Sequence, residues 1–304
     1  MKKNNLHAMR MAAVLFSMVT APALAEIRVD ATAPANQHPT LLVTANGIPQ
    51  INIQTPSAGG VSRNTYSAFN IEQQGAILNN SRTNTTTQLG GMVSANPWLA
   101  NGSARVILNE VNSSHPSLLQ GYLEVAGARA QVIVANPSGI TCDGCGFINA
   151  HRATLTTGSV LLNQGNLDSY RVEQGTVTIT GNGLDASSAD YTDILARAVE
   201  VHAGIWANQL TVTTGVQAIN ADDPTQTTAL TNTAVNTPAP EFAIDVAQLG
   251  GMYAGHITLI GTEHGVGVRN AGDISSTHYG MVVTADGRLE NAGYTRKVAS
   301  WKIT

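Results

Sequence analysis

The 304 residues carry 16 Lys and Arg against 20 Asp and Glu, with charged residues at 12% and aromatic residues at 5%. So sparse and slightly acidic a charge argues against nucleic acid as a partner, because phosphate binding needs clustered Lys and Arg; beyond the first ten residues the only lysines are Lys297 and Lys302. Poverty in Glu, Lys and Arg argues equally against long helices, whereas Val, Thr and Ile punctuated by Gly and Asn suit short strands joined by tight turns.

The chain opens on a basic stretch, with Lys2, Lys3 and Arg10 and no acid. An apolar run from Met11 to Val19 follows, then the small-residue close Ala23-Leu24-Ala25. This order reads as a signal peptide over residues 1–25, cleaved between Ala25 and Glu26. The apolar run falls short of the ~20 residues a membrane-spanning helix needs. Cleavage removes three of the 16 basic residues, which leaves 13 against 20 and a formal charge of −7. The general secretion machinery is therefore an expected partner.

Further along, apolar and polar residues alternate in short runs bounded by Gly or Asn. Val177 and Ile179 alternate with Thr176, Thr178 and Thr180; Leu210 and Val212 alternate with Thr211 and Thr213; Ile257 and Leu259 flank Thr258. Each run predicts a half-buried strand. The segment from Tyr191 to Ala203 fits a helix and a buried strand equally well. Residues 216–241 are rich in Thr, Asn and Pro and read as an excursion from the regular pattern.

Val268-Arg269-Asn270-Ala271-Gly272 recurs as Leu289-Glu290-Asn291-Ala292-Gly293, and Leu162-Asn163-Gln164-Gly165 shows a similar apolar-Asn-x-Gly signature earlier. A β-rich repeat of about 20 residues suggests one coil of a parallel β-helix per copy, with Asn side chains laddered at the turns. A β-sandwich with two accidentally similar turns is the competing fold. Residues 251–304 read as the start of such repeats. The change of character from Tyr294 to Thr304, which gathers Arg296, Lys297, Trp301 and Lys302, leads us to expect a truncated chain.

The densest set of motifs lies between Gly90 and Gly158. It includes Asn96-Pro97-Trp98-Leu99, Arg105 to Asn112 (RVILNEVN), Gly121 to Gly127 (GYLEVAG), Asn136-Pro137-Ser138-Gly139-Ile140, Cys142 to Asn149 (CDGCGFIN) and Arg152 to Gly158 (RATLTTG). Upstream, Asn64 to Asn70 (NTYSAFN) and Gly75 to Asn80 (GAILNN) fit the same pattern. Together these resemble the N-terminal secretion domain of the two-partner secretion family, which includes filamentous haemagglutinins, haemolysins and contact-dependent growth inhibition toxins. The resemblance covers nearly all of Ile27 to Gly293. It implies an all-β fold, a right-handed parallel β-helix with small capping sheets, for a domain spanning residues 26–304. It also implies recognition in the periplasm by an outer-membrane β-barrel transporter with POTRA domains, and export to the cell surface or the medium. Under it, the domain targets secretion and nucleates folding of an exported adhesin, haemolysin or toxin.

In Asn136-Pro137-Ser138-Gly139, Asn, Pro and Gly occupy the positions each favours in a type I turn. The family pattern is Asn-Pro-Asn-Gly-Ile, with Ser138 here in place of the second Asn; Asn96-Pro97-Trp98-Leu99 departs likewise from Asn-Pro-Asn-Leu at Trp98. These two turns, Asn96 to Leu99 and Asn136 to Ile140, are the candidate transporter-recognition motifs. If the second merely reversed the chain, Asn136→Ala would cost about 1 kcal/mol.

Cys142 and Cys145 are the only cysteines. A thioredoxin-like redox pair lacks a surrounding βαβ pattern, and a zinc site with His151 lacks a fourth ligand. A structural disulfide suits an exported chain best, and closing so short a loop would contribute about 2 kcal/mol. Glu110 and Glu124 are the one conceivable acid/base pair for a polysaccharide-degrading β-helix, and Asp222-Asp223 reads as a solvated pair. No catalytic motif, cofactor loop or metal helix is present in the sequence. The alternatives to a secretion domain are a module that binds a target-cell receptor or glycan directly and, further off, such an enzyme.

Overall fold

The computed structural model describes residues 26–230, 238–297 and 301–303, so residues 1–25, the expected signal peptide, lie outside the described residues. Two short 3-10 turns, Ala35–Gln37 and Pro97–Leu99, interrupt an otherwise all-strand chain. The strands stack as a parallel β-helix with three faces. The first face runs from Pro49–Asn52 through Ala76–Asn80 and Tyr122–Gly127, and continues in the later part of Ile140–Ile148 and of Thr176–Ala186. It ends in the opening parts of Gly204–Thr214, Gly251–Gly261 and Asp273–Ala285. The second face takes Val61–Phe69, Val106–Val111, Ala130–Ala135, Ala150–Thr156 and Tyr191–Ala196, then the later parts of the same long strands. The third takes Ser117–Leu119, the opening parts of Ile140–Ile148 and Thr176–Ala186, then Ala198–Val201, Phe242–Val246, Gly267–Asn270 and Leu289–Asn291.

The alternation read from the sequence puts one apolar residue in every second position, and the register aligns these into columns. Val134, Leu155, Ile194, Val212 and Leu259 form one column on the second face. Ile140, Val177, Val199, Ile244 and Val268 form another on the third. All are buried. Each such side chain contributes roughly 1.5–3 kcal/mol on burial, and their continuity along the axis makes one core.

The C-terminal recurrence is a coil. Val268 pairs with Leu289, Arg269 with Glu290 and Asn270 with Asn291, and the Asn270 side chain donates to Asn291 Oδ1 at 2.9 Å. The Tyr191–Ala203 region resolves into two strands, Tyr191–Ala196 and Ala198–Val201. The earlier apolar-Asn-x-Gly copy is not a coil. Ser159–Asn163 and Asn166–Val172 form an antiparallel hairpin, and its turn residues Gln164 and Gly165 both have positive φ. That is the geometry of a tight type I′ turn, which Asn-x-Gly chemistry serves as readily as a helix corner.

Two small sheets lie off the helix. The hairpin, Gln217–Asn220 and Thr227–Ala229 form a four-stranded antiparallel sheet. Its Val160, Tyr170, Val172 and Ile219 pack on Val61, Leu108, Ile133 and Leu195 of the second face. Thus the described part of the Thr/Pro-rich stretch supplies two of these strands; residues 231–237 lie outside the described residues. Thr85–Thr87 and Gly91–Val93 pair as a second hairpin, whose Val93 meets Ile77 and Ala126 of the first face.

Candidate functional site

Each Asn-Pro turn is held from within by its asparagine. Asn96 is buried; its amide donates to the carbonyls of Ile53 and Asn79, and its Oδ1 accepts from the Trp98 N–H at 3.0 Å. Asn136 is wholly buried. Its amide donates to the His115 carbonyl and Ser117 Oγ, and its Oδ1 accepts from the Ser138 N–H at 2.9 Å. The Gly139 N–H closes the turn on the Asn136 carbonyl. A buried amide needs all these partners, since each unmet polar group costs about 1–3 kcal/mol.

What the turns offer to solvent is therefore their second and third residues. Pro97 and Trp98 are exposed, while Pro137 and Ser138 are half-buried; Leu99, Gly139 and Ile140 face inward. The Trp98 indole N–H donates to Thr40 Oγ1 at 3.0 Å, which ties the first turn to the strand Thr40–Val43. That strand pairs antiparallel with Pro49–Asn52 and, among the described residues, with no other strand. It exposes Leu41, Leu42 and Val43, the last at 71%. Sequence reasoning did not single it out, because three apolar residues in a row read as core. No hydrogen bond joins the Asn96 turn to the Asn136 turn among the described residues, so the two motifs are separate features.

Cys142 and Cys145 form a disulfide, with Cα atoms 5.3 Å apart. Both are buried, so neither sulfur is free for zinc or open to a thiol partner. The bond spans the corner where Ile140–Ile148 bends from the third face to the first: register slips between Asp143 and Cys145, and Gly144 has φ +82°.

The imagined acid/base pair is dispersed into structural roles. Glu110 accepts from Arg63 Nε at 2.8 Å, and Glu124 accepts the Gln88 and Leu89 backbone N–H groups. Asp223 accepts from Thr225 and Gln226, which hold its carboxyl below the usual value. Burial pushes the Asp193 carboxyl up despite its ion pair with Arg152 at 2.6 Å. His151, half-buried beside Arg129, is held below the usual histidine value by that burial.

Comparison with known proteins fits this geometry. The model of the TPS secretion domain matches residues 25–291. The chain belongs to that family. It is also similar to the crystal structure of a filamentous hemagglutinin secretion domain, with a TM-score of 0.79 and 30% identity over 91% of this chain and 99% of that one. Among sequences, it is 55% identical over 280 residues to the protein named toxin CdiA of Yersinia pestis, covering 92% of this chain. It is 45% identical over 259 residues to the protein named tRNA nuclease CdiA-2 of Burkholderia pseudomallei, covering 84%. The chain spans about 8% of the length of each of these relatives.

A TPS secretion domain targets an exoprotein for two-partner secretion, and that is the role of this chain. Two-partner secretion carries exoproteins across the Gram-negative outer membrane with a transporter partner. The family is a secretion-domain family and not an enzymatic fold.

Proposed function

We propose that the domain engages periplasmic POTRA domains of an outer-membrane β-barrel transporter by strand addition at Thr40–Val43, with the neighbouring Asn96 turn fixing the register. Residues 1–25 first direct the chain to the general secretion machinery, and residues 26–304 then act as one targeting and fold-nucleating unit at the head of an adhesin or toxin. The observation that carries this reading is the free edge of Thr40–Val43. Unpaired backbone groups on an exposed apolar edge are a template for an added strand. Trp98, hydrogen-bonded to Thr40, stands where side chains beside that edge would discriminate partners. Pro137 and Ser138, half-buried at the second turn, are a further candidate contact on the same reading.

Export in the presence of the cognate transporter tests this. Leu42→Asp with Val43→Asp places charge on an already exposed edge, so melting should be unchanged while secreted material falls at least tenfold. Undiminished export of that variant would overturn the edge as the recognition site.

A further inference from the structure

On the first face, the outward positions of successive coils bring Tyr122, Gly146, Asp185, Trp206 and Tyr253 into one column along the helix axis. Trp206 and Tyr253 are direct register partners with ring centroids 6.1 Å apart and planes within 19° of parallel. Each ring lies over a glycine of its own strand. A methyl placed at Gly204 would sit 2.5 Å from the Trp206 ring, and one at Gly251 would sit 2.6 Å from the Tyr253 hydroxyl. Tyr122 instead covers Gly146, its register partner on the next coil, where an added methyl would sit 2.4 Å from the ring. Glycine at these places lets the rings lie down on the sheet instead of standing off it.

A ring laid flat on the backbone turns its other side to solvent, and Trp206 remains 43% exposed. Beside the rings, Tyr122 donates its hydroxyl to Asp185 Oδ2 at 2.7 Å. Among the described residues neither the Trp206 indole N–H nor the Tyr253 hydroxyl has a hydrogen-bond partner. Along the axis the column thus runs from Tyr122 over Gly146 to Asp185 and then to two adjacent rings, Trp206 and Tyr253, with coils about 4.8 Å apart.

We propose that this column is a binding platform for a neutral hexopyranose chain lying along the helix axis. The negative face of an aromatic ring attracts the weakly positive C–H groups on one side of a pyranose. The Asp185 carboxylate and the free indole N–H then take sugar hydroxyls at the rim, where an ionised acceptor makes the stronger bond. Asp185 and the acidic balance of the chain disfavour anionic glycans. Transporter engagement plays no part in this site, so the two readings stand or fall separately.

The secreted protein can be run through native gels cast with hydroxyethylcellulose, laminarin, dextran or galactomannan, four neutral polysaccharides of different linkage. At least one should retard it. Trp206→Ala and Tyr253→Ala should each weaken that retardation about tenfold, the loss expected for a well-packed ring. Tyr253→Phe, which keeps the ring, should retain it, and so should Tyr191→Ala, which removes a comparably exposed ring on the second face. Export and melting of the Trp206 variant should match the unaltered protein. Absence of retardation in all four gels, or equal retardation with and without the Trp206 ring, overturns the platform.

Discussion

The side-chain amide of Asn136 donates to Ser117 Oγ over 3.0 Å, joining the turn to the strand Ser117–Leu119 one coil below, and both residues are sealed from solvent. The asparagine is thus a strut between coils as well as a turn residue. Asn136→Ala should cost about 2–3 kcal/mol, above the 1 kcal/mol expected of a simple chain reversal, because it strips partners from groups that water cannot reach. Its melting temperature and its export should fall together. Pro137→Ala and Ser138→Ala, at the half-buried positions, should leave melting within a degree or two and alter export alone. Full stability of the Asn136 variant would contradict the strut.

The disulfide should be quantitative in secreted material, so thiol titration before reduction should find no free thiol. Cys142→Ser with Cys145→Ser should lower stability by about 2 kcal/mol and leave the all-β circular dichroism intact, since the bond closes only a short loop. A larger collapse would show that the corner at Gly144 cannot form without it.

The Tyr122–Asp185 hydrogen bond makes stability depend on pH at both extremes. Its acceptance by Asp185, with burial adding, pushes the Tyr122 hydroxyl up to about 12 from 10. A raised folded value means that stability is whole below pH 10 and is lost as pH climbs from 10 towards 12; buried Tyr66 and Tyr170, also raised, add to that loss. Burial works to raise the Asp185 carboxyl, but hydrogen bonds from Ser187 and Tyr122 outweigh it and hold it below 3.8. Its contribution is therefore present above 3.8 and disappears as pH falls below that. Melting curves of Tyr122→Phe should show a shallower decline in both windows. An unchanged decline would remove this pair from the titration.

Gly272 backs onto the coil beneath it. An added methyl there would sit 2.1 Å from the Gly250 carbonyl oxygen, just as one at Gly293 would sit 2.1 Å from that of Gly272. Backbone cannot yield as a flexible side chain does, so Gly272→Ala should cost about 1–3 kcal/mol by overpacking. Gly265→Ala is a poor control because of its φ of +79°. Ala271→Ser, beside the column, serves better and should melt almost normally.

The recurrence from Val268 to Gly293 was legible because each of its letters has a physical task. The aliphatic residue fills the column, the asparagine ladders to the next asparagine, and the glycine admits the carbonyl below. Alternation at Val177, Leu210 and Ile257 was legible for the same reason, since each strand has one face in the core. The hairpin at Gln164 was misread because an Asn-x-Gly turn looks alike in a coil corner and in a two-residue reversal. The aromatic column escaped notice because Trp206 and Tyr253 meet only across the inserted Thr/Pro-rich stretch, which breaks the coil period between them. Nor does sequence reveal that Asn96 and Asn136 turn inward: an amide at a turn reads as solvent-facing until its burial partners are placed.

The four-stranded sheet has a consequence for how the molecule comes apart. In a bare stack each coil touches only the coils above and below, so stability is a sum of nearest-neighbour steps and fraying can begin anywhere. Here one sheet packs across the strands holding Val61, Leu108, Ile133 and Leu195, which belong to four of five successive levels of the second face. Those levels share a brace and must be released together, as one cooperative block. The coils from Phe242 onward have no such brace among the described residues and are free to unzip singly. Hydrogen exchange would register the boundary as a step in protection between Leu195 and Ile244.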